Sequence, residues 1–142
     1  MARMHTSYEN LRVGREGAVT TITLARPEKR NALSVATMAE LTAALAQAGD
    51  SDALAVVLAA DGPVFSAGHN FADMAGADLA SARAIFRQCT EMMDVVQSIG
   101  QPVIARVHAL ATAAGCQLVA TCDLAVAAES AGFAIPGGKG GL

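Results

Sequence analysis

The sequence predicts an α/β fold in which helices cover a largely parallel sheet. Two continuous apolar runs, "ALAVVLAA" (53–60) and "PVIARVHA" (102–109), are typical of strands buried on both faces. Segments with helical spacing alternate with these runs. Strands that alternate with helices favour parallel pairing through right-handed crossovers.

The first predicted elements form a β-hairpin. The segment "AVTTITLA" (18–25) alternates between two faces, and it follows the strand-like segment 8–13 across "GREG" at 14–17. Pro27 and a cluster of charged residues then indicate a loop over 26–31.

Helices are predicted where apolar residues recur every three or four positions. Ser34 is the expected N-cap of a helix over 34–49, which ends at Gly49. Gly100 is expected to stop the helix over 78–99. The elements after the first helix follow in the order strand 53–60, helix 78–99, strand 102–109, helix 112–122, strand 123–129 and strand 133–136.

The composition is unusually apolar for one small domain, with 53% hydrophobic residues and a mean hydropathy of +0.38. A sheet covered on both faces, a subunit interface or a longer fold would each account for it. The ending "FAIPGGKGGL" favours the longer fold. We expect residues 1–142 to form a single N-terminal domain that is incomplete.

The charge and the apolar runs exclude several partners. A net charge of -3 and a pI near 5.5 provide no basic field for nucleic acid or for an anionic membrane. The apolar runs are too short or too interrupted to span a bilayer, and residues 1–17 have no signal-peptide pattern. We expect a cytoplasmic protein without nucleic-acid or membrane partners.

The cysteines and histidines predict neither disulfides nor a metal site. The cysteines are odd in number and lie in apolar, helix-like segments, which suits reduced core thiols: Cys89, Cys116 and Cys122. The histidines show no ligand spacing with one another or with the cysteines: His5, His69 and His108.

Two strand exits are rich in small residues: "FSAGHN" (65–70) and "HALATAAG" (108–115). Ligands of parallel sheets gather at the carboxyl ends of strands, and a helix that begins there directs free N–H groups at the ligand. Two such exits facing each other would hold an oxygen that gains negative charge. Alternatively, Gly68 and Gly115 serve only turns and close packing.

Three ordered motifs resemble the crotonase superfamily, also called the enoyl-CoA hydratase/isomerase family. They are "ITLARPEKRNALS" (22–34), "VVLAADGPVFSAGHNFADM" (56–74) and "QPVIARVHALATAAGCQLVATCDLAVAAESAGFAIP" (101–136). The resemblance implies a crotonase-like spiral of strand-strand-helix turns that binds an acyl-CoA thioester. It also implies homotrimers, often paired into hexamers, and no separate cofactor, because CoA enters as part of the substrate.

The resemblance places an oxyanion hole at two backbone N–H groups. The donors would be His69 and Ala114, and replacing the family's glycine by Ala114 requires a negative φ at that position. The His69 imidazole would line the acyl pocket or face a subunit contact or solvent. The other residues that the resemblance places at the substrate are Lys29, Arg30, Ala32, Ala67, Gly68, Asn70, Phe71 and Gly115.

Lys29 and Arg30 lie where the resemblance places the nucleotide end of CoA, whose phosphates would suit them. A solvated loop pair is the alternative.

Both catalytic glutamates of the hydratases are missing. Gln117 stands at the position of the first, and Gly137 follows Pro136 at the position of the second. An amide neither takes nor gives a proton, although Gln117 could hold a water or an acyl oxygen. Asp73 is the best substitute carboxylate, unless it only begins a helix or lies at the surface.

The sequence therefore predicts thioester binding and enolate stabilisation without efficient hydration by the usual mechanism. The alternatives are a CoA-thioester binder or assembly partner that has lost its acid/base residues, and an incomplete chain whose binding slot is unfinished.

Overall fold

A computed structural model describes residues 7–140, and it confirms the predicted α/β class with a mainly parallel sheet. The strands of the larger sheet, in spatial order, are β1 (Leu11–Glu16), β2 (Val19–Leu24), β3 (Ala55–Ala60), β5 (Val103–Val107) and β7 (Leu124–Ala127). β1 pairs antiparallel with β2, and every later pair is parallel.

A second, smaller sheet consists of short parallel strands. These are β4 (Val64–Ser66), β6 (Leu110–Thr112) and β8 (Phe133–Ala134), with β6 in the middle. The sequence interpretation missed β4 and β6, and it assigned Thr112 to a helix. Strands of three residues are too short to display a two-residue period.

The three long predicted helices are present with slightly different ends. Ser34 caps α1 (Val35–Gly49) by accepting a hydrogen bond from the Thr37 N–H at 3.1 Å. The Asp78 carboxylate caps α3 (Leu79–Ser98) in the same way. The remaining helices are α2 (Phe71–Met74), α4 (Ala114–Thr121) and α5 (Gly137–Gly140), and a 3₁₀ turn covers Pro27–Lys29.

The core lies where α1 packs against α3 and against β1 and β2 of the larger sheet. The buried residues of α1 recur every three or four positions and form one stripe along the helix. The fully enclosed side chains of this core include Ile22, Leu24, Leu41, Leu45, Leu58, Met92 and Val96.

The hairpin turn is tighter than the sequence predicted. β1 continues to Glu16, so only Gly17 and Ala18 connect it to β2, and Gly17 has a φ of +57°. After Leu11 every residue of β1 is exposed. Beyond Leu11, β1 therefore lacks the alternation of buried apolar residues from which the sequence could have predicted the strand to its end at Glu16.

Burial on both faces, which the sequence predicts for β3 and β5, holds for β3 and is wrong for β5. In β3, Val56, Leu58 and Ala59 are buried. In β5 only alternate residues are buried, and Arg106 on the other face is exposed.

The edge strand β7 is not covered in this structure. All of β7 is exposed, including Leu124 at 61% and Val126 at 64%. Part of the chain's high apolar content therefore lies on the exposed surface of β7 and not in the core.

The cysteines are free thiols. Cys89 is buried in the core, whereas Cys116 and Cys122 are partly exposed. Burial, together with the neighbouring Asp123 carboxylate, raises the pKa of the Cys122 thiol to about 12. Cys122 is therefore protonated and unreactive at neutral pH. Between residues 7 and 140, no helix is both long and apolar enough to cross a bilayer.

Candidate functional site

The structure brings the two strand exits together. A Cβ atom added to Gly115, in the first turn of α4, would lie 2.6 Å from the Ser66 carbonyl oxygen of β4. A Cβ atom added to Gly68 would lie 2.9 Å from the Ala113 Cβ and 3.1 Å from the Ala114 nitrogen. Both glycines therefore permit a contact that no side chain would allow.

At the first exit, hydrogen bonds fix the backbone up to Gly68. The buried Ser66 hydroxyl donates to the Asn31 carbonyl at 2.9 Å and accepts from the Gly68 N–H at 3.2 Å. The Gly68 carbonyl accepts from the Leu33 N–H at 2.7 Å. The next N–H, that of His69, has no partner among the described residues.

At the second exit, the first turn of α4 presents a free donor. The Ala113 N–H donates to the Ala134 carbonyl of β8 at 2.8 Å, and the Gln117 N–H donates to the Ala113 carbonyl at 3.0 Å. The Ala114 N–H finds no acceptor within residues 7–140, as is usual in the first turn of a helix. Two unpaired N–H groups thus flank the contact between Gly68 and Ala113.

The conformational strain of this site lies at Ala113 and not at Ala114. Ala113 has a φ of 52° and a ψ of -127°, a region that is accessible to glycine and costly for other residues. Ala114 is absent from the residues with positive φ in the described chain. Ala114 therefore meets the requirement for a negative φ, and the positive φ falls on Ala113, whose N-cap position the sequence analysis did not identify.

Ala113→Gly is expected to stabilise the protein. Strain of this kind costs about 1–3 kcal/mol, and the greater backbone entropy of glycine offsets about 0.5–1 kcal/mol of the gain. The net gain of about 1 kcal/mol should raise Tm by about 2–4 °C in a thermal scan. The control is Ala120→Gly, an exposed position of α4, which should lower Tm. A lower Tm for Ala113→Gly would contradict the strain.

Asn31 is a site-building residue whose role the sequence interpretation missed. It is buried, with a φ of 48°. Its amide donates to the Asp61 carbonyl at 2.7 Å and the Val64 carbonyl at 3.2 Å, and it accepts from the Arg26 N–H at 2.9 Å. It thereby ties the loop that carries Lys29 to the start of β4. The sequence did contain one signal for this role, an asparagine in a charged loop. Asparagine tolerates the left-handed backbone conformation better than most residues do.

The His69 side chain lies against α3. Its ring meets the Phe86 ring edge to face, with centroids 5.4 Å apart. The residue is half-buried, and burial lowers the pKa of the imidazole below its usual value of 6.5. Its Nδ1 is enclosed and has no hydrogen-bond partner among the described residues. The ring is therefore a neutral polar group in a largely apolar contact.

Asp73 is engaged elsewhere. Its carboxylate accepts a hydrogen bond from the Val35 N–H, the first residue of α1, at 2.9 Å. A negative charge at this end of a helix is favourable, so the structure gives Asp73 a helix-start role, for α1. Gln117 is exposed on α4, and the Asn70 side chain caps α2 through the Ala72 N–H.

A cleft of about 230 Å³ brings Lys29, Ala32 and Asn70 together. The other residues that line it are Asn10, Arg26, Ser34, Thr37 and Ala72. Arg26 is paired with Glu28 at 2.6 Å and with Glu9 at 3.3 Å.

The remaining expected substrate residues lie outside this lining. Arg30 and Phe71 are exposed, and the Ala67 N–H donates to the Arg30 carbonyl at 3.0 Å.

Comparisons with known proteins agree on one family. The profile described as "Enoyl-CoA hydratase/isomerase" matches residues 14–142. The zebrafish (Danio rerio) mitochondrial enoyl-CoA hydratase domain-containing protein 3 is 43% identical over 129 residues, covering 89% of this chain and 45% of that protein.

Solved structures give the same result. An enoyl-CoA hydratase from Mycobacterium smegmatis superposes with a TM-score of 0.91 at 46% identity, over 94% of this chain and 53% of the other. The human enoyl-CoA hydratase domain-containing protein 3 superposes with a TM-score of 0.86 at 38% identity, over the same shares. The chain thus spans about half the length of the proteins it matches, and it belongs to the enoyl-CoA hydratase/isomerase family, the crotonase superfamily.

Proposed function

We propose that this chain binds an acyl-CoA or enoyl-CoA thioester and stabilises its enolate through the backbone N–H groups of His69 and Ala114. The supporting observation is the pair of unpaired N–H groups on either side of the contact between Gly68 and Ala113. Such donors, aimed at an oxygen that gains negative charge, stabilise the transition state of enolate formation.

Gly68 keeps the Ala114 donor accessible. A Cβ at position 68 would lie 3.1 Å from the Ala114 nitrogen, which is close to the length of an N–H···O hydrogen bond. A side chain there would compete with a thioester oxygen for the same space. Glycine at 68 therefore serves ligand access as well as the φ of +88°.

The cleft suits the polar end of the ligand. Lys29 lines it, and Arg26 is already neutralised by two carboxylates. We assign the CoA phosphates to Lys29 and to the neighbouring, exposed Arg30. Phe71 is 68% exposed and is assigned to the acyl chain, next to the turn formed by Ala67 and Gly68. Ala32, Asn70 and Gly115 complete the proposed set of substrate residues.

Efficient hydration is not part of this proposal. Adding water across a double bond requires a group that takes a proton and a group that gives one. Gln117 supplies an amide, and the Asp73 carboxylate is bonded to the start of α1. The second candidate function is therefore a CoA-thioester binder without turnover.

Isothermal titration of the chain with crotonyl-CoA is expected to show binding. The matched probe is the thioether analogue, in which a methylene replaces the carbonyl. Losing two neutral hydrogen bonds of about 0.5–1.5 kcal/mol each should weaken binding of the thioether by about 5- to 150-fold. Equal affinities for both ligands would contradict the proposed donors.

Hydration of crotonyl-CoA in the same sample should be at least about 10²-fold slower than in a family member that carries both glutamates. The rate of hydration is measured by the loss of the absorbance of the enoyl double bond. Rapid hydration that disappears in Asp73→Asn would show that Asp73 is the missing acid/base group.

A homotrimer or hexamer in the cytoplasm is the assembly and location proposed for the complete fold. Sedimentation velocity at several concentrations tests the assembly, and fractionation of cells tests the location.

A further inference from the structure

His69 carries two groups of interest, the backbone N–H that is a proposed oxyanion donor and the imidazole side chain. Five bonds separate the backbone nitrogen from Nε2 of the ring, so these two atoms are never more than about 6 Å apart. A thioester oxygen bound to the His69 N–H would therefore bring the acyl group next to the residue that carries Nε2.

The ring occupies an environment that an apolar side chain would fill at less cost. Its Nδ1 is enclosed without a partner, and its neighbour is the Phe86 ring. An unpaired buried nitrogen costs about 1–3 kcal/mol. Nε2 is not enclosed in this way, so it is the nitrogen left to meet a ligand. A polar ring held here at a cost indicates a chemical role.

The ring is neutral at physiological pH and so able to accept a proton. Burial is the cause that lowers its pKa. The charged side chains of the neighbouring elements, Asp73 on α2 and Arg83 and Arg87 on α3, contribute nothing to this shift. Neither Gln117 nor the occupied Asp73 offers a competing free base.

We propose that the His69 imidazole is the proton-transfer residue of this site. It takes a proton from Cα of the bound thioester and returns it, while the N–H groups of His69 and Ala114 hold the enolate oxygen. This inference rests on the proposed function of the same site.

The step balances without another reactant. The Cα–H bond breaks and an N–H bond forms at Nε2, and the released electron pair forms the enolate C=C bond as the carbonyl oxygen becomes negative. Reprotonation at Cα regenerates the thioester, and reprotonation at Cγ of an enoyl group moves the double bond. A single base thus supports α-proton exchange and double-bond isomerisation, whereas hydration needs two groups.

The test follows exchange and isomerisation of but-3-enoyl-CoA in D₂O by proton NMR. The wild type should catalyse both, with a rate that rises with pH through a pKa below 6.5, because the neutral imidazole is the base. His69→Gln keeps the backbone N–H and should lose about 10²- to 10⁴-fold in rate, with crotonyl-CoA affinity nearly unchanged. The matched control His108→Gln, at an exposed position, should keep the wild-type rate.

A second variant separates chemistry from packing. His69→Ala should regain exchange when imidazole is added to the solution, which a structural role for the ring would not produce. Thermal scans establish that each variant is folded.

Three results would overturn the inference. Exchange by His69→Gln at the wild-type rate and pH profile is the first, and crotonyl-CoA binding by the wild type without exchange is the second. Absence of crotonyl-CoA binding in the wild type is the third, and it would overturn the proposed function as well.

Discussion

Ala114→Pro, introduced together with Ala113→Gly, is expected to lower the rate of α-proton exchange by about 10²- to 10³-fold, the usual loss for one oxyanion donor. Proline removes the backbone N–H, and Ala114 is the first residue of α4. Proline is well tolerated at that helix position. Because the Ala114 N–H bonds to no described residue, its removal costs the fold no hydrogen bond.

The Ala113→Gly background is required because proline restricts the residue before it. Ala113 is already strained, with a φ of 52°, and glycine relieves both constraints. Ala113→Gly alone is the control and should keep the wild-type rate. Circular dichroism and a thermal scan show whether the double variant is folded. A folded double variant that exchanges as fast as the control would exclude Ala114 as a donor.

Apolar periodicity was enough to predict the elements that build the core. Helices α1 and α3 bury stripes that recur every three or four residues. The continuous apolar run of β3 identifies a central strand. These elements are long, and local sequence alone gives them the correct type. β4 and β6 span only three residues each, so their strand character comes from pairing with each other.

The approach of the two strand exits was also predictable, since small residues cluster at both of them. The details depend on contacts distant in sequence. The Asp73 carboxylate finds its partner at Val35, 38 positions away. The Ala113 N–H bonds to Ala134 of β8, a contact that accompanies its unusual backbone. No local pattern contains such pairs, so these roles could not be assigned from the sequence.

The proposal of enolate chemistry came from the resemblance and not from the spacing of residues. Spacing predicts two facing donors, and the structure shows two unpaired N–H groups. Neither observation selects a thioester among the ligands that carry an oxygen gaining negative charge. The fold likewise hosts several reactions, so the reaction depends on the side chains that face the donors.

Gly115→Ala is expected to destabilise the protein by about 2–3 kcal/mol, as overpacking of a close contact does. The new Cβ would lie 2.6 Å from the Ser66 carbonyl oxygen and 2.7 Å from the Ser66 Cβ. Ser66 is fully buried and bonded to Asn31, so it cannot move aside cheaply. α4 would have to move away from β4, which separates the two donors. Denaturant unfolding measures the loss of stability, and titration with crotonyl-CoA should show weaker binding.

The sign of the effect makes this test decisive. Gly115 lies in α4, where helix propensity alone would make Gly→Ala stabilising by about 1 kcal/mol. Ala120→Gly, at the exposed position of the same helix, measures the propensity contribution, and Gly14→Ala introduces a Cβ with no atom within 4 Å. If Gly115→Ala raised the free energy of unfolding, α4 and β4 would not be in the close contact that the structure shows.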